Sequence, residues 1–298
     1  MTKKARHYSH TITEFYSQFW AILPSKLDVI EAALTNIVTT RSEDGWKAFE
    51  DSFEKNDEPK ATQSSDIAVI PISGTISPRP SAFTSGGTSA ETVGRSIDAA
   101  KVNSSVRNIV LNIDSPGGSV FGVEELAGKI RQAAAVKPVH AVANHMAASA
   151  AYWLGSQAST FAVAPSGQVG SIGVIYRRLD RSAAIQKDGV NVKYVHSGKF
   201  KSEGQPDTPI TESEIADLQA KSDVYYEKFV ADVAKGRKQS VSHVMASYGN
   251  GRMFLAEQAK GLGMVDRVAS FETIMTELQQ RSSRGRMAKA ASVSMAMS

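Results

Sequence analysis

Residues 109–118, Ile109-Val110-Leu111-Asn112-Ile113-Asp114-Ser115-Pro116-Gly117-Gly118, decide the fold class. A strand covered on one face alternates apolar with polar residues. The first five residues of this run, 109–113, are apolar but for Asn112 and rich in β-branched side chains, so both faces of the strand must be covered, as in a parallel sheet flanked by helices. Pro116-Gly117-Gly118 then breaks the strand at its carboxyl end, where open α/β sheets place their ligands.

Working outward, the same alternation of strand and helix recurs. Upstream lie a strand at 67–72, a Gly/Ser/Pro-rich loop at 77–89 and a helix at about 90–100. Downstream, Ser119 is expected to cap a helix with Val120, Val123, Ala127, Ile130 and Ala134 on one side. Strands are expected at 139–142, 161–163, 172–175 and 192–195, with a helix at 149–156. A long helix opens on the capping box Thr211-x-x-Glu214 and has the core stripe Ile215, Leu218, Tyr225 and Phe229. Strands interleaved with helices give an α/β class built of βαβ units around a mostly parallel sheet.

The two ends differ from this body. Residues 1–65 read as an N-terminal extension: Pro24 opens a helix with Leu27, Ile30, Leu34 and Ile37 on one face, and charged residues at 50–66 form a linker. The helix face is expected to pack on its own domain. The main domain covers 66–275, and 276–298 form a basic tail, expected to be disordered from about Arg281.

Composition narrows the function. With no cysteine, disulfides, thiolate metal sites and a cysteine nucleophile are excluded. The most apolar stretch, 139–154, is interrupted by His140, Asn144, His145 and Ser149 and is too short and polar to span a bilayer. No secretory signal is seen, so a cytoplasmic protein without a membrane anchor is expected. The net charge of +4 is carried by Lys3, Lys4 and Arg6 at one end and by Arg281, Arg284, Arg286 and Lys289 at the other. The chain between them is net acidic, so no specific nucleic-acid groove is expected.

Ser149 stands where a strand gives way to a helix, among Ala147, Ala148, Ala150 and Ala151. Helix-start amides favour an alkoxide-like oxygen and a nearby oxyanion, and small neighbours leave room for a substrate. The same pattern also fits an ordinary N-cap serine. Gly117 and Gly118 can turn their amides toward a carbonyl oxygen without a Cβ in the way, or can simply make a tight turn. Neither a P-loop nor a dinucleotide glycine pattern is present. Lys201, with Lys199 as local competitor, is a candidate base or a surface lysine. Keeping a free lysine neutral at pH 7 costs about 4–5 kcal/mol, a gap that burial can close. His140, His145 and His196 leave a histidine base open, with His145 four residues before Ser149. No metal-ligand cluster or cofactor motif is found, and neither a metal nor a cofactor is expected.

Four motifs in this order, Asp114-Ser115-Pro116-Gly117-Gly118, Met146-Ala147-Ala148-Ser149-Ala150-Ala151-Tyr152, Gly170-Ser171-Ile172-Gly173-Val174 and Gly198-Lys199-Phe200-Lys201-Ser202, resemble the signal peptide peptidase A family, the S49 serine peptidases. The resemblance implies a ClpP/crotonase-like spiral with Ser149 as nucleophile and Lys201, not Lys199, as general base. It also implies an oxyanion hole at Gly117 with Gly118, and Ser171 orienting the lysine. It implies protein or peptide substrates and a homo-oligomeric ring in which one protomer's serine can meet the next protomer's lysine. Phe19-Trp20-Ala21-Ile22-Leu23-Pro24 is similar to the start of bacteriophage and prophage members that mature capsids, which points to portal and scaffold proteins as substrates inside a prohead. Competing expectations are a cytoplasmic S49 peptidase that degrades signal peptides or other peptides, a crotonase-like acyl-CoA enzyme and a non-catalytic assembly scaffold.

Overall fold

The computed structural model describes residues 15–40, 60–80 and 87–296, with side chains 33–40, 285, 286 and 288–296 outside the description. Much of the expected linker and the side chains of Leu34 and Ile37 therefore lie outside the described residues. The chain opens with β1 (Trp20–Ile22) and α1 (Pro24–Thr40), then β2 (Thr62–Ser64), β3 (Ile67–Ser73), β4 (Ile76–Ser77) and β5 (Thr88–Ser89). Next come α2 (Ala90–Val102), β6 (Asn108–Ser115), β7 (Gly117–Ser119), α3 (Val123–Ala134), β8 (Val139–Ala148) and α4 (Ala150–Gly155). The remainder is β9 (Thr160–Val163), β10 (Gln168–Gly170), α5 (Ser182–Lys187), α6 (Glu212–Arg237), α7 (Val241–Ser247), β11 (Met253–Leu255), α8 (Ala256–Gly261), β12 (Arg267–Val268) and α9 (Phe271–Ala296).

The larger sheet runs β11-β10-β8-β6-β3-β2, with β9 and β12 continuing from β8. Its central pairs are parallel, and only β2 with β3 and β10 with β11 are antiparallel. The double-sided burial expected of residues 109–113 is realised. Ile109, Leu111 and Ile113 join the main core, while Val110 packs with Ile67, Val142, Ile274 and Leu278 on the opposite face. The smaller sheet is β1-β7-β4-β5, whose β7 follows directly on β6 in the chain.

Several expectations are corrected. Ser119 belongs to β7 and its hydroxyl accepts from the Phe121 amide; α3 starts only after Gly122, because residues 117–119 are taken up in strand pairing. Residues 172–175 are extended but form only an isolated bridge, Trp20 with Ile175. Residues 190–196 form no strand within the chain, and Val190, Val192, Tyr194 and Val195 are exposed. Of the expected stripe of α6, Phe229 is buried and Leu218 and Tyr225 pack half-buried against the core, but Ile215 faces outward; the fully buried apolar residues Phe229, Val230, Val233 and Ala234 all lie in the second half of the helix. The tail is helical through Ala296; alanine, methionine and lysine are good helix formers even where little apolar surface is available. Ser282 bonds the Asp66 carboxylate at 2.8 Å and ties this helix to the start of β3.

Of the helix face at Leu27, Ile30, Leu34 and Ile37, the described part packs on the body through Leu27 and Ile30. Phe15, Trp20, Ile22 and Leu27 form a buried cluster with Ile175, while Phe19 lies against Tyr176 and Tyr225.

Candidate active site

β8 is ten residues long, and its two halves have different partners. Residues 140–143 pair with β9 and residues 146–148 with β10, so the strand carries Ser149 to a point where β6, β10 and α4 converge. Ser149 is 1% exposed and has φ 54° and ψ −118°, a backbone seldom adopted by a residue with a Cβ. Its amide donates to the Gly170 carbonyl at 2.7 Å and its carbonyl accepts the Trp153 amide at 2.9 Å, which over-determine the turn. An N-cap serine would be extended and would accept from the first-turn amides. Here the hydroxyl makes no capping bond and faces the Gly173 carbonyl at 3.5 Å. The plain N-cap reading is therefore excluded.

Gly117 lies beside this serine, where no side chain would fit. Its φ is 96°, and a Cβ built there would lie 3.0 Å from Ser149 Cβ and 2.2 Å from the Ala21 carbonyl oxygen. Its amide donates to Ser115 Oγ at 3.1 Å, and that hydroxyl in turn donates to the Gly74 carbonyl. Gly118 serves close packing: a Cβ there would fall 1.9 Å from the Ile76 carbonyl oxygen. Ser171 follows Gly170 with φ 56°, is buried, and donates its amide to the Arg252 carbonyl. With Ile22, Gly173, Ile175, Asp223 and Tyr226 it lines a cavity of about 390 Å³ beside the serine.

Lys201 lies elsewhere. It is exposed, on the turn 198–204, and among the described residues no hydrogen bond or ion pair joins its Nζ to Ser149. Lys199 rests 5.0 Å from the Phe200 ring. Arg178 holds the following loop, bonding Glu214 on α6 and the carbonyls of Gln205 and Thr208. Both members of the Arg178–Glu214 pair are almost fully buried. The structure thus brings Ser149, Gly117 and Ser171 together and leaves Lys201 outside. Of the histidines, His145 bonds Asp114 at 2.9 Å on an exposed edge, His140 bonds Thr160 and His196 bonds Ser202. None of these bonds reaches Ser149. Among the described residues no group of three or more metal-ligating side chains occurs.

Two participants escaped the sequence reading. One is Ser115, whose position two residues before a turn glycine is a recognisable hydroxyl-to-amide signal. The other is β1: the aromatic and apolar run 19–23, stopped by Pro24, has the composition of a short strand.

The model of Peptidase family S49 matches residues 131–284, which include Ser149, Ser171 and Lys201. The chain belongs to peptidase family S49. A protein of Methanocaldococcus jannaschii named as a presumed protease is 33% identical over 184 residues, 62% of this chain and 59% of that protein. Capsid assembly protease C of Escherichia phage lambda is 31% identical over 232 residues, 75% of this chain and 52% of its own length. The head-tail preconnector protein GP5 of Enterobacteria phage P21 is 32% identical over 180 residues, 60% of this chain and 36% of its own. The chain thus spans between about a third and three fifths of the length of these relatives. Among its described residues no helix is long and apolar enough to cross a membrane.

Proposed function

We propose that this S49 chain is a serine endopeptidase with Ser149 as nucleophile and Lys201 of a neighbouring copy as general base. One observation carries the serine assignment: a buried hydroxyl on a strained strand-to-helix turn, turned away from capping and set against Gly117. The lysine assignment rests on the Gly198-Lys199-Phe200-Lys201-Ser202 motif. Because Lys201 stands in solvent within one chain, a second copy must desolvate it and bring it to the serine. The exposed apolar row Val190, Val192, Tyr194, Val195 and Phe200, next to this lysine, supports such a homo-oligomer.

In the cycle, the uncharged amine takes the Ser149 proton as Oγ attacks the peptide carbonyl carbon. Amides at Gly117 and the start of α4 hold the oxyanion, with Gly117 released from Ser115 Oγ. The ammonium protonates the leaving amine, and water activated by the same amine then releases the acyl group. Ser171 orients the lysine. Capsid-maturation substrates, portal or scaffold proteins in a prohead or in the host cytoplasm, are the reading supported by the similarity of residues 19–24 to phage members and by the kinship with a phage capsid assembly protease and a phage head-tail preconnector protein. The kinship with the ClpP/crotonase spiral rests on the same resemblance.

Mixing tests the reading. Ser149→Ala and Lys201→Ala chains, each inactive, should regain part of the activity when assembled together. Absence of rescue would place both groups in one chain. Co-expression with candidate portal and scaffold proteins should yield fragments by mass spectrometry that vanish with Ser149→Ala.

A further inference from the structure

We propose that residues 19–23 occupy the channel that receives an extended peptide, so the chain carries its own occupant of the cleft beside Ser149 and must release it to act. The inference rests on the peptidase reading and adds to it how the substrate is bound and what withholds it.

β1 is paired along one edge and bridged at Trp20 on the other. On one side Trp20, Ala21 and Ile22 face Ser119, Gly118 and Gly117 in antiparallel register. Bonds from the Val120 amide to Phe19 and from the Leu23 amide to Pro116 extend that ladder. On the other side Trp20 and Ile175 exchange both backbone bonds at 2.8 Å. A strand held this way between two backbone edges is the geometry of β-strand addition, in which main-chain bonds supply the affinity and any extended peptide can compete.

The position of this strand matters as much as its pairing. The Ala21 carbonyl and the Ser149 side chain both border the space a Cβ on Gly117 would take, and the Gly117 amide is meanwhile bound to Ser115 Oγ. A substrate carbonyl has no place there while β1 is seated. Ile22 also forms part of the wall of the cavity lined by Ser171, Gly173 and Ile175, so the segment borders the space where a substrate side chain would sit. Its anchors lie outside the channel: Phe15 packs on Trp20, and Phe19 packs on Tyr176 and Tyr225. These contacts hold the strand by side chains that a substrate need not supply.

A disulfide lock tests this, since the chain has no native cysteine. Trp20 and Ser119 face each other on β1 and β7 in a non-hydrogen-bonded pair, whose usual Cα separation of about 4.5 Å suits a disulfide. The double variant Trp20→Cys with Ser119→Cys, in a Ser149→Ala background, is titrated with a fluorescent peptide of residues 17–24. The reduced form should bind roughly tenfold more tightly than the oxidised form or better. With Ser149 restored, oxidation should slow fluorophosphonate labelling by a similar factor and reductant should restore it. Equal binding in the two redox states would overturn the proposal and make β1 a fixed wall. Redox-dependent binding without labelling in either state would sustain the occupant and sink Ser149 as nucleophile. Should the double variant not fold, Phe15→Ala, which loosens the anchor from outside the channel, must accelerate labelling; an unchanged or slower rate would reject the idea.

Discussion

Ser149 keeps φ 54° and ψ −118° because its amide is tied to Gly170 and its carbonyl to Trp153, and a residue held in so sparse a region stores roughly 1–3 kcal/mol. Two substitutions separate this strain from the chemistry. Ser149→Ala removes the hydroxyl and keeps the Cβ, whereas Ser149→Gly removes both. Both should abolish peptide hydrolysis, and the glycine variant should be the more stable by about 1 kcal/mol in urea unfolding. Equal stability would mean the turn is relaxed. His140 gives a pH prediction. Burial, with a smaller contribution from Arg281, pushes its pKa below the ordinary histidine value, so the unfolded chain binds the extra proton first. Its contribution to stability is present above about pH 6.5 and is lost as pH falls below that. His140→Gln should therefore shrink the drop in Tm between pH 7.5 and 5.5; an undiminished drop would exonerate this residue. At this scale Ser149 was legible as a candidate, but its N-cap alternative could be removed only by backbone angles and a hydroxyl direction, which depend on Gly170 and Gly173, more than twenty residues later.

At the scale of elements, the site is held by α4 and α6. Trp153 on α4 stacks on Phe229 of α6 with centroids 4.5 Å apart and planes 10° from parallel. Its Nε1 donates to Asp232 at 2.9 Å, and Asp232 pairs with Arg131 on α3. Trp153→Ala empties this junction and should cost about 3–5 kcal/mol, read from denaturant midpoints. Arg178 clamps the loop after Lys201 to Glu214, and removing one member of so buried a pair leaves the other charge unpaired. Arg178→Met should cost about 3–5 kcal/mol and open residues 196–210 to protease, as limited digestion would reveal. Glu214 also shows the limit of motif reading. Thr211 does accept the Glu214 amide as the capping box requires, yet the glutamate side chain turns to Arg178. A partner thirty-six residues upstream outcompetes the local return bond. Strand 109–113 and the helix at about 90–100 were legible because apolar patterning is local; that Ser89 caps this helix was not read. Residues 172–175 were misread as a full strand because their partner is the N-terminal segment.

For the whole molecule, the separation of Ser149 from Lys201 is the main consequence. The proposed ring predicts that hydrolysis per chain falls steeply on dilution below the assembly midpoint, with sedimentation velocity run on the same samples. Full specific activity in a monomer would sink the shared site. The exposed residues 190–195 are then expected to lose amide exchange only in the assembled form.

Residue order alone determined the α/β class, the double-sided burial of 109–113 and the four family motifs, because strand periodicity, glycine turns and short motifs are encoded within a few neighbouring residues. Tertiary structure decided that Ser149 does not cap its helix, that residues 19–23 lie across Gly117, and that Lys201 faces solvent in a single chain. These depend on contacts between segments far apart in sequence, where hydrogen-bond competition and packing choose among partners that local chemistry leaves equivalent.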